Sequence, residues 1–426
     1  MGITVSNPPF SATLFGNVYG AQPQLVGASP SFYDFSTPLG TLPTGTTLTR
    51  ASAGYRYNSS GVLVSMTTDA ARFQYDPATL TPRGFLVEGA ATNLITHSEN
   101  LSDAAWTKTN VTLSVGAIAA PDGAMTADAV IESVSGVSGH GPGRLVNYTS
   151  GVTYVMSFFA KADTRIWAYT FWDSSRFGGG GYSYFNLSTG AVGSVSAGTT
   201  ALMIPLAGGW YRCVVIATSS STGAGNTGFG IATGDGVPNY IGDGTSKMYM
   251  WGFSIVADSA LSSYVKTTSA AVTRAADVAL VTNASAISDQ CWIIRARTPR
   301  KISGGRANVL FTIDDGYFFN QRLIYYTTAG TLIAAAAVAN VTTCSLNFGA
   351  VATDTDFVIA VRWADNNFAA SLNGGAIITD LSGANTTGLT TVRIGTDYSS
   401  NYWNSTIKSI ETRRTATDAE LPLLAA

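Results

Sequence analysis

The sequence predicts an all-β chain made of two β-sandwich, jelly-roll domains with an extended N-terminal arm. Short runs of β-branched and aromatic residues recur at regular spacing, with Gly, Pro, Asn and Asp between them, and few stretches invite a helix. Charged residues make up 12% of the chain, about half the roughly 25% of typical soluble proteins, while Gly, Ser and Thr are abundant. The length of 426 residues accommodates two to four domains at about 100–200 residues each.

Residues 1–48 carry Pro8, Pro9, Pro23, Pro30, Pro38 and Pro43 among Phe10, Phe15, Tyr19, Phe32, Tyr33 and Phe35. Repeated proline forbids a long helix or a central strand, so this arm is expected to be extended and to bury its aromatics on another surface. Residues 49–95 read as a junction. Phe73 and Tyr75 alternate with polar neighbours, Asp76-Pro77 and Pro82-Arg83-Gly84 supply turn chemistry, and Phe85-Leu86-Val87 follows, which gives a tight hairpin. Arg72, Asp76, Glu88 and Arg274 are candidates for a polar network that locks the junction, with Arg274 paired to Asp76 or Glu88.

The first sandwich is expected over residues 96–280, with strands at 152–160, 166–172, 182–187, 210–217, 227–231 and 247–255. Gly190, Gly208-Gly209 and Gly234-Asp235-Gly236 are its turns. Residues 266–285 form a Ser- and Thr-rich connector. The second sandwich occupies residues 286–426, with strands at 308–314, 321–327, 331–338, 356–363, 367–372, 391–394 and 405–412 and an Asn373-Gly374 hairpin turn.

Several function classes are disfavoured. The net charge of −2 is spread without blocks, so no basic field attracts nucleic acid or an anionic membrane. No apolar run approaches 20 residues and no basic, apolar leader is present, so membrane insertion is not expected. Cys213, Cys291 and Cys344 share no metal-binding spacing and read as buried free thiols, with a Cys291–Cys344 bridge as the alternative. With five glutamates in the chain and no clear carboxylate pair, glycoside hydrolysis is disfavoured. Neither His97 nor His140 lies near a Gly-x-Ser-x-Gly elbow, so a serine triad is not expected either.

Particular motifs resemble a known family. Thr49-Arg50-Ala51-Ser52, the Gly61 turn, Arg72-Phe73 with Tyr75-Asp76-Pro77, Gly84 to Glu88, Thr92-Asn93-Leu94 and Trp106 resemble a module of bacteriophage and prophage virion proteins. These are fibre, spike and tail proteins carrying a carbohydrate-binding-module-like jelly roll. Pro121-Asp122-Gly123, Trp210-Tyr211-Arg212, Ser262 to Val265 and Ala271 to Asp277 extend the resemblance over roughly residues 45–280. Residues 286–426 resemble a concanavalin A-like or laminin-G-like lectin sandwich through Phe357 to Trp363, Asn373-Gly374-Gly375, Arg393-Ile394-Gly395, Trp403 with Ile407 and Ile410, and Thr417 to Leu421.

The resemblance implies a virion exterior location and a homotrimer joined to other virion proteins through the arm. The implied ligand is host surface polysaccharide. A capsid decoration or head-spike protein without a specific ligand and a polysaccharide depolymerase are the alternatives. Sugar rings stack their C–H faces on aromatic side chains beside polar groups. The candidate contacts are therefore Trp172, Asp173, Arg176, Tyr182 and Tyr184, on and around the loop containing Gly178 to Gly181, and Tyr317, Tyr398, Asn401 and Tyr402 in the second sandwich. Trp167, Tyr169 and Phe171 share one strand face and Trp172 the other, and one face must be core. No cofactor is expected. Asp314, Asp315, Gly316 and Asn320, or Asp235 and Asp243, could supply oxygen ligands to structural Ca²⁺, although plain polar turns are the favoured reading of them.

Overall fold

The computed structural model describes residues 31–35, 42, 45–178, 181–282, 290–300 and 307–426, and their strand pairings are antiparallel. Two β-sandwiches result. In the first, one sheet runs in the order β5-β4-β3-β6-β2-β1, where β1 is Thr107–Thr109, β2 Gly141–Tyr148, β3 Trp167–Phe171, β4 Tyr182–Asn186, β5 Ala191–Val195 and β6 Gly223–Ala232. The facing sheet is ordered Thr199–Pro205, Trp210–Thr218, Thr153–Ala162, Lys247–Val256, Ala127–Glu132 and Val111–Ile118. Between them lie Trp106, Phe158, Phe185, Phe229 and Phe253, with Phe158 and Phe229 stacked at 4.9 Å. The facing sheet is covered on its outer side as well, where Phe159, Trp210, Trp251 and Tyr264 pack with Tyr57 and Leu63 of a hairpin, Gly54–Tyr57 with Leu63–Met66.

The second sandwich is closed by strands from far up the chain. Phe73–Tyr75 and Pro82–Val87 extend the sheet containing Ser405–Arg413, Cys291–Arg297 and Asp356–Arg362. Thr46–Thr49 and Val278–Thr282 extend the opposing sheet beside Thr391–Ile394 and Asn308–Asp314. The first sandwich is thus inserted between strands of the second, and the chain enters and leaves it through the paired strands Ala91–Asn93 and Val272–Arg274. The junction is therefore more than one hairpin, and the Ser- and Thr-rich connector contributes two strands, Val272–Arg274 and Val278–Thr282.

Residues 1–30 and 36–41, where most of the expected arm falls, lie outside the described residues, as do Gly179, Gly180 and 283–289. Ser31–Asp34 pairs with Ser405–Arg413. Phe35, expected to seek a foreign surface, is buried in its own chain 5.7 Å from the Phe85 ring. All three cysteines are buried and unbridged, and burial pushes the Cys291 and Cys344 thiols up to about 12. Among the described residues no helix is long and apolar enough to cross a membrane.

Five charged side chains hold the crossing point. Arg50, Arg72, Glu88, Arg274 and Asp277 are each at most 2% exposed. Arg72 pairs with Glu88 at 2.6 Å and with Asp277, Arg50 reaches Asp277 at 2.9 Å, and Arg274 lies 3.6 Å from Glu88. The Ser263 N–H and hydroxyl donate to Glu88 at 2.6 and 2.7 Å. Asp76 stands outside this network. It pairs with Arg83 at 2.6 Å and accepts the Ala78 and Thr79 N–H groups of its own turn.

Candidate functional site

Alternation along β3 sends Trp167, Tyr169 and Phe171 to one face of the sheet and Ala168, Thr170 and Trp172 to the other. The Trp172 face is core. Trp172 is 3% exposed and lies 4.3 Å from the Phe177 ring and 6.0 Å from that of Tyr148. The expectation that Trp172 stacks on a sugar is therefore corrected, because its indole already fills the end of the sandwich. The loop after it is likewise internally engaged. Asp173 accepts the N–H groups of Ser175 at 2.9 Å and Asn226 at 2.7 Å, and Arg176 donates to Ala224 O at 2.8 Å, Thr222 O at 3.2 Å and Ser221 Oγ at 3.1 Å.

These bonds staple the loop to the start of β6 and give Asp173 and Arg176 a positioning role. Arg176→Ala should cost about 1–2 kcal/mol, as expected for hydrogen bonds from a charged donor. Glycan affinity should stay within about twofold of wild type. Calorimetry on the variant checks this, and a larger affinity loss at normal stability would return Arg176 to the site.

The opposite face carries a groove of about 510 Å³, within the range of small-ligand sites. Its aromatic side comes from β3 and β4, where Tyr169 is registered with Tyr184 and Phe171 with Tyr182. Tyr182 is 40% exposed and Phe171 is half-buried, whereas Tyr169 and Tyr184 are buried and support them, with the Tyr169 ring edge-on to Tyr182 at 5.3 Å. Tyr184 thus belongs to the aromatic layer without offering a face of its own. Burial pushes the Tyr184 hydroxyl up to about 12 and also raises that of Tyr169, so both rings stay neutral at ordinary pH.

Beside the rings, β2 and β6 present glycines, Gly141 and Gly143 on the one and Gly228 and Gly230 on the other, with Leu145 exposed at the end of this floor. Gly143 is registered with Gly228, and a Cβ on Gly228 would lie 2.4 Å from Pro142 O and 2.9 Å from the Phe171 ring. A Cβ on Gly230 would lie 2.2 Å from His140 O and 2.7 Å from Tyr169. Glycine at these positions lets the two backbones approach and the two rings lie down across them. The rim is polar: Thr107 and Thr109 of β1, Asn226 of β6 and Asn239 line the groove and are exposed. Arg144 also borders it, but its side chain alternates with Gly143 to the other face of the sheet, where the guanidinium donates to Thr96 O at 2.6 Å and Thr96 Oγ1 at 3.0 Å and sits 5.2 Å over Trp106.

Phe171, Asn226, Asn239 and the glycines were not among the sequence candidates. The available signal was glycine at alternate positions, in Gly139-His140-Gly141-Pro142-Gly143 and Gly228-Phe229-Gly230.

In the second sandwich Tyr317 and Tyr398 come together at 5.9 Å and are 57% and 43% exposed, joined by Phe318 and Phe319. The polar groups around them serve the loops. Asp315 accepts from the Tyr317 N–H and Asn320 Nδ2, and Asn401 donates from N and Nδ2 to Asp397. Tyr402 is half-buried against the core beside Gly89. Asn401 and Tyr402 are therefore loop and packing residues.

The proposed Ca²⁺ loops do not fit a cation. Asp314 is fully buried and engaged by Arg393, Asp235 accepts from Ser194, and Asp243 from Thr245 and Ser246. A cation at Asp314 would face the guanidinium, and the described residues contain no cluster of three His, Cys, Asp or Glu side chains suited to a metal.

No protein-family model and no curated protein matches the chain. Among solved structures, the chain is similar to the CBM40 module of the Ruminococcus gnavus IT-sialidase bound to alpha2,3 sialyllactose, at 17% identity and a TM-score of 0.28 over 34% of this chain and 87% of that one. The same module in a structure whose description names no ligand gives the same values, and its complex with alpha2,6 sialyllactose gives 16% identity and a TM-score of 0.27 at the same coverages.

Proposed function

We propose that this chain is a glycan-binding protein on the exterior of a phage or phage-like particle, a fibre or spike that attaches to host surface polysaccharide and performs no chemistry on it. The groove of the first sandwich carries the binding half of this reading. It sets the open rings of Phe171 and Tyr182 beside a glycine floor and a rim of amides and hydroxyls. A pyranose ring needs one apolar face for its C–H groups and mixed donors and acceptors for its hydroxyls, and the groove provides both. Hydrolysis would need two carboxylates about 5–10 Å apart across the bond, and no Asp or Glu is among the described residues that line the groove. The particle assignment, attachment through the N-terminal arm and trimeric state rest on the resemblance of residues 45–280 to virion modules.

An array of immobilised host-surface polysaccharides tests the reading. Retention of the full-length protein without release of reducing sugar is expected. Failure to retain any glycan would favour a decoration protein, and sugar release would favour a depolymerase.

A further inference from the structure

The groove's charge inventory narrows the ligand. Its polar lining consists of Thr107, Thr109, Asn226 and Asn239, whose hydroxyls and amides both donate and accept. The one charged lining residue, Arg144, has both terminal nitrogens engaged by Thr96, and its Nε is buried away from solvent without a partner. Asp173, just behind the rim, spends its two oxygens on Ser175 and Asn226. Arg144 thus aims its donors at Thr96 and not into the groove, and Asp173 keeps a negative charge at its edge, so no cationic donor of the lining faces a ligand there.

We infer that the groove selects an uncharged saccharide, a neutral hexose polymer, over glycans built on uronic or sialic acids; this rests on the glycan-binding reading of the same groove. A hydroxyl donates and accepts at once and suits this rim. A carboxylate only accepts, and its stronger bonds come from cationic donors, which the groove withholds. Burying a carboxylate there without a paired cation is unfavourable. Because no ion pair forms, affinity is insensitive to salt screening.

The experiment immobilises two polysaccharide panels, neutral (dextran, mannan, galactan, xyloglucan) and acidic (polygalacturonate, hyaluronan, polysialic acid). Full-length wild type and Tyr182→Ala are passed over both at about 0.05 M and 0.5 M NaCl. Melting curves of both proteins confirm folding. The inference expects retention on at least one neutral polymer, at least about tenfold weaker for Tyr182→Ala and changed less than about twofold by salt. Retention confined to acidic polymers, salt-sensitive and lost in Tyr182→Ala, would overturn the neutral selectivity while leaving the groove as the glycan site. Retention unaffected by Tyr182→Ala, or absent on both panels, would overturn the groove reading and this inference with it.

Discussion

Glu88→Ala should remove about 3–5 kcal/mol of stability, because it leaves buried guanidiniums without a counter-charge. Glu88 is 2% exposed, and Arg72 lies 2.6 Å from it and Arg274 3.6 Å. Arg72 would retain Asp277, but three arginines would then share one carboxylate at the crossing between the sandwiches. The same network predicts acid sensitivity. Burial by itself would raise the Glu88 carboxyl, but Arg274, Arg72 and the hydrogen bonds from Ser263 outweigh it and hold the group down at about 2. Since the folded value lies below the unfolded one, the stabilisation is complete above the usual glutamate range and is lost as pH falls through about 2. Denaturant titrations of wild type and Glu88→Ala between pH 7 and 2 check both statements. The gap between the proteins should be widest at neutral pH and shrink in acid. A variant that unfolds at the wild-type midpoint at pH 7 would show the network to be energetically idle.

Legibility from sequence followed the range of the interactions. Strands Asn308–Asp314, Thr331–Val338 and Thr391–Ile394 were readable to the residue because turn residues bound each of them and alternation or apolar runs fill them. The Asn373-Gly374 turn was readable for the same local reason, and its φ values of 50° and 70° are those of a tight hairpin. Val341–Ala350 was missed because it buries little beyond Cys344 and Leu346. Strand β2 was missed because Gly141-Pro142-Gly143 imitates a turn, whereas those glycines serve a close approach to a strand more than 80 residues later.

The junction's charged residues were conspicuous, yet Asp277 as the shared partner of Arg50 and Arg72 was not readable. Those contacts close over 227 and 205 residues. At the site, alternation separated the two faces of β3 but not which one was core. Trp172 borders the loop that carries Asp173, Arg176 and Gly178 to Gly181, which favoured it as a ligand platform. Tyr148 and Phe177 decide otherwise, by enclosing it.

Phe171→Ala with Tyr182→Ala should weaken glycan binding by about 100-fold, if each open ring contributes about 1.4 kcal/mol of stacking. Stability should change little by comparison, since both side chains lie on the outer face, away from the core around Phe158 and Phe229. Tyr169 and Tyr184 remain to cover the sheet. The central claim is that the glycine-floored face of the first sandwich, and not the loop after Trp172, holds the sugar. Isothermal titration of wild type and this double variant with a polysaccharide that the wild type retains tests it most directly. About 100-fold weaker binding is expected from a variant that still melts cooperatively, within several degrees of wild type. A double variant that binds with wild-type affinity would contradict it and move recognition to the exposed Tyr317 and Tyr398 patch of the second sandwich.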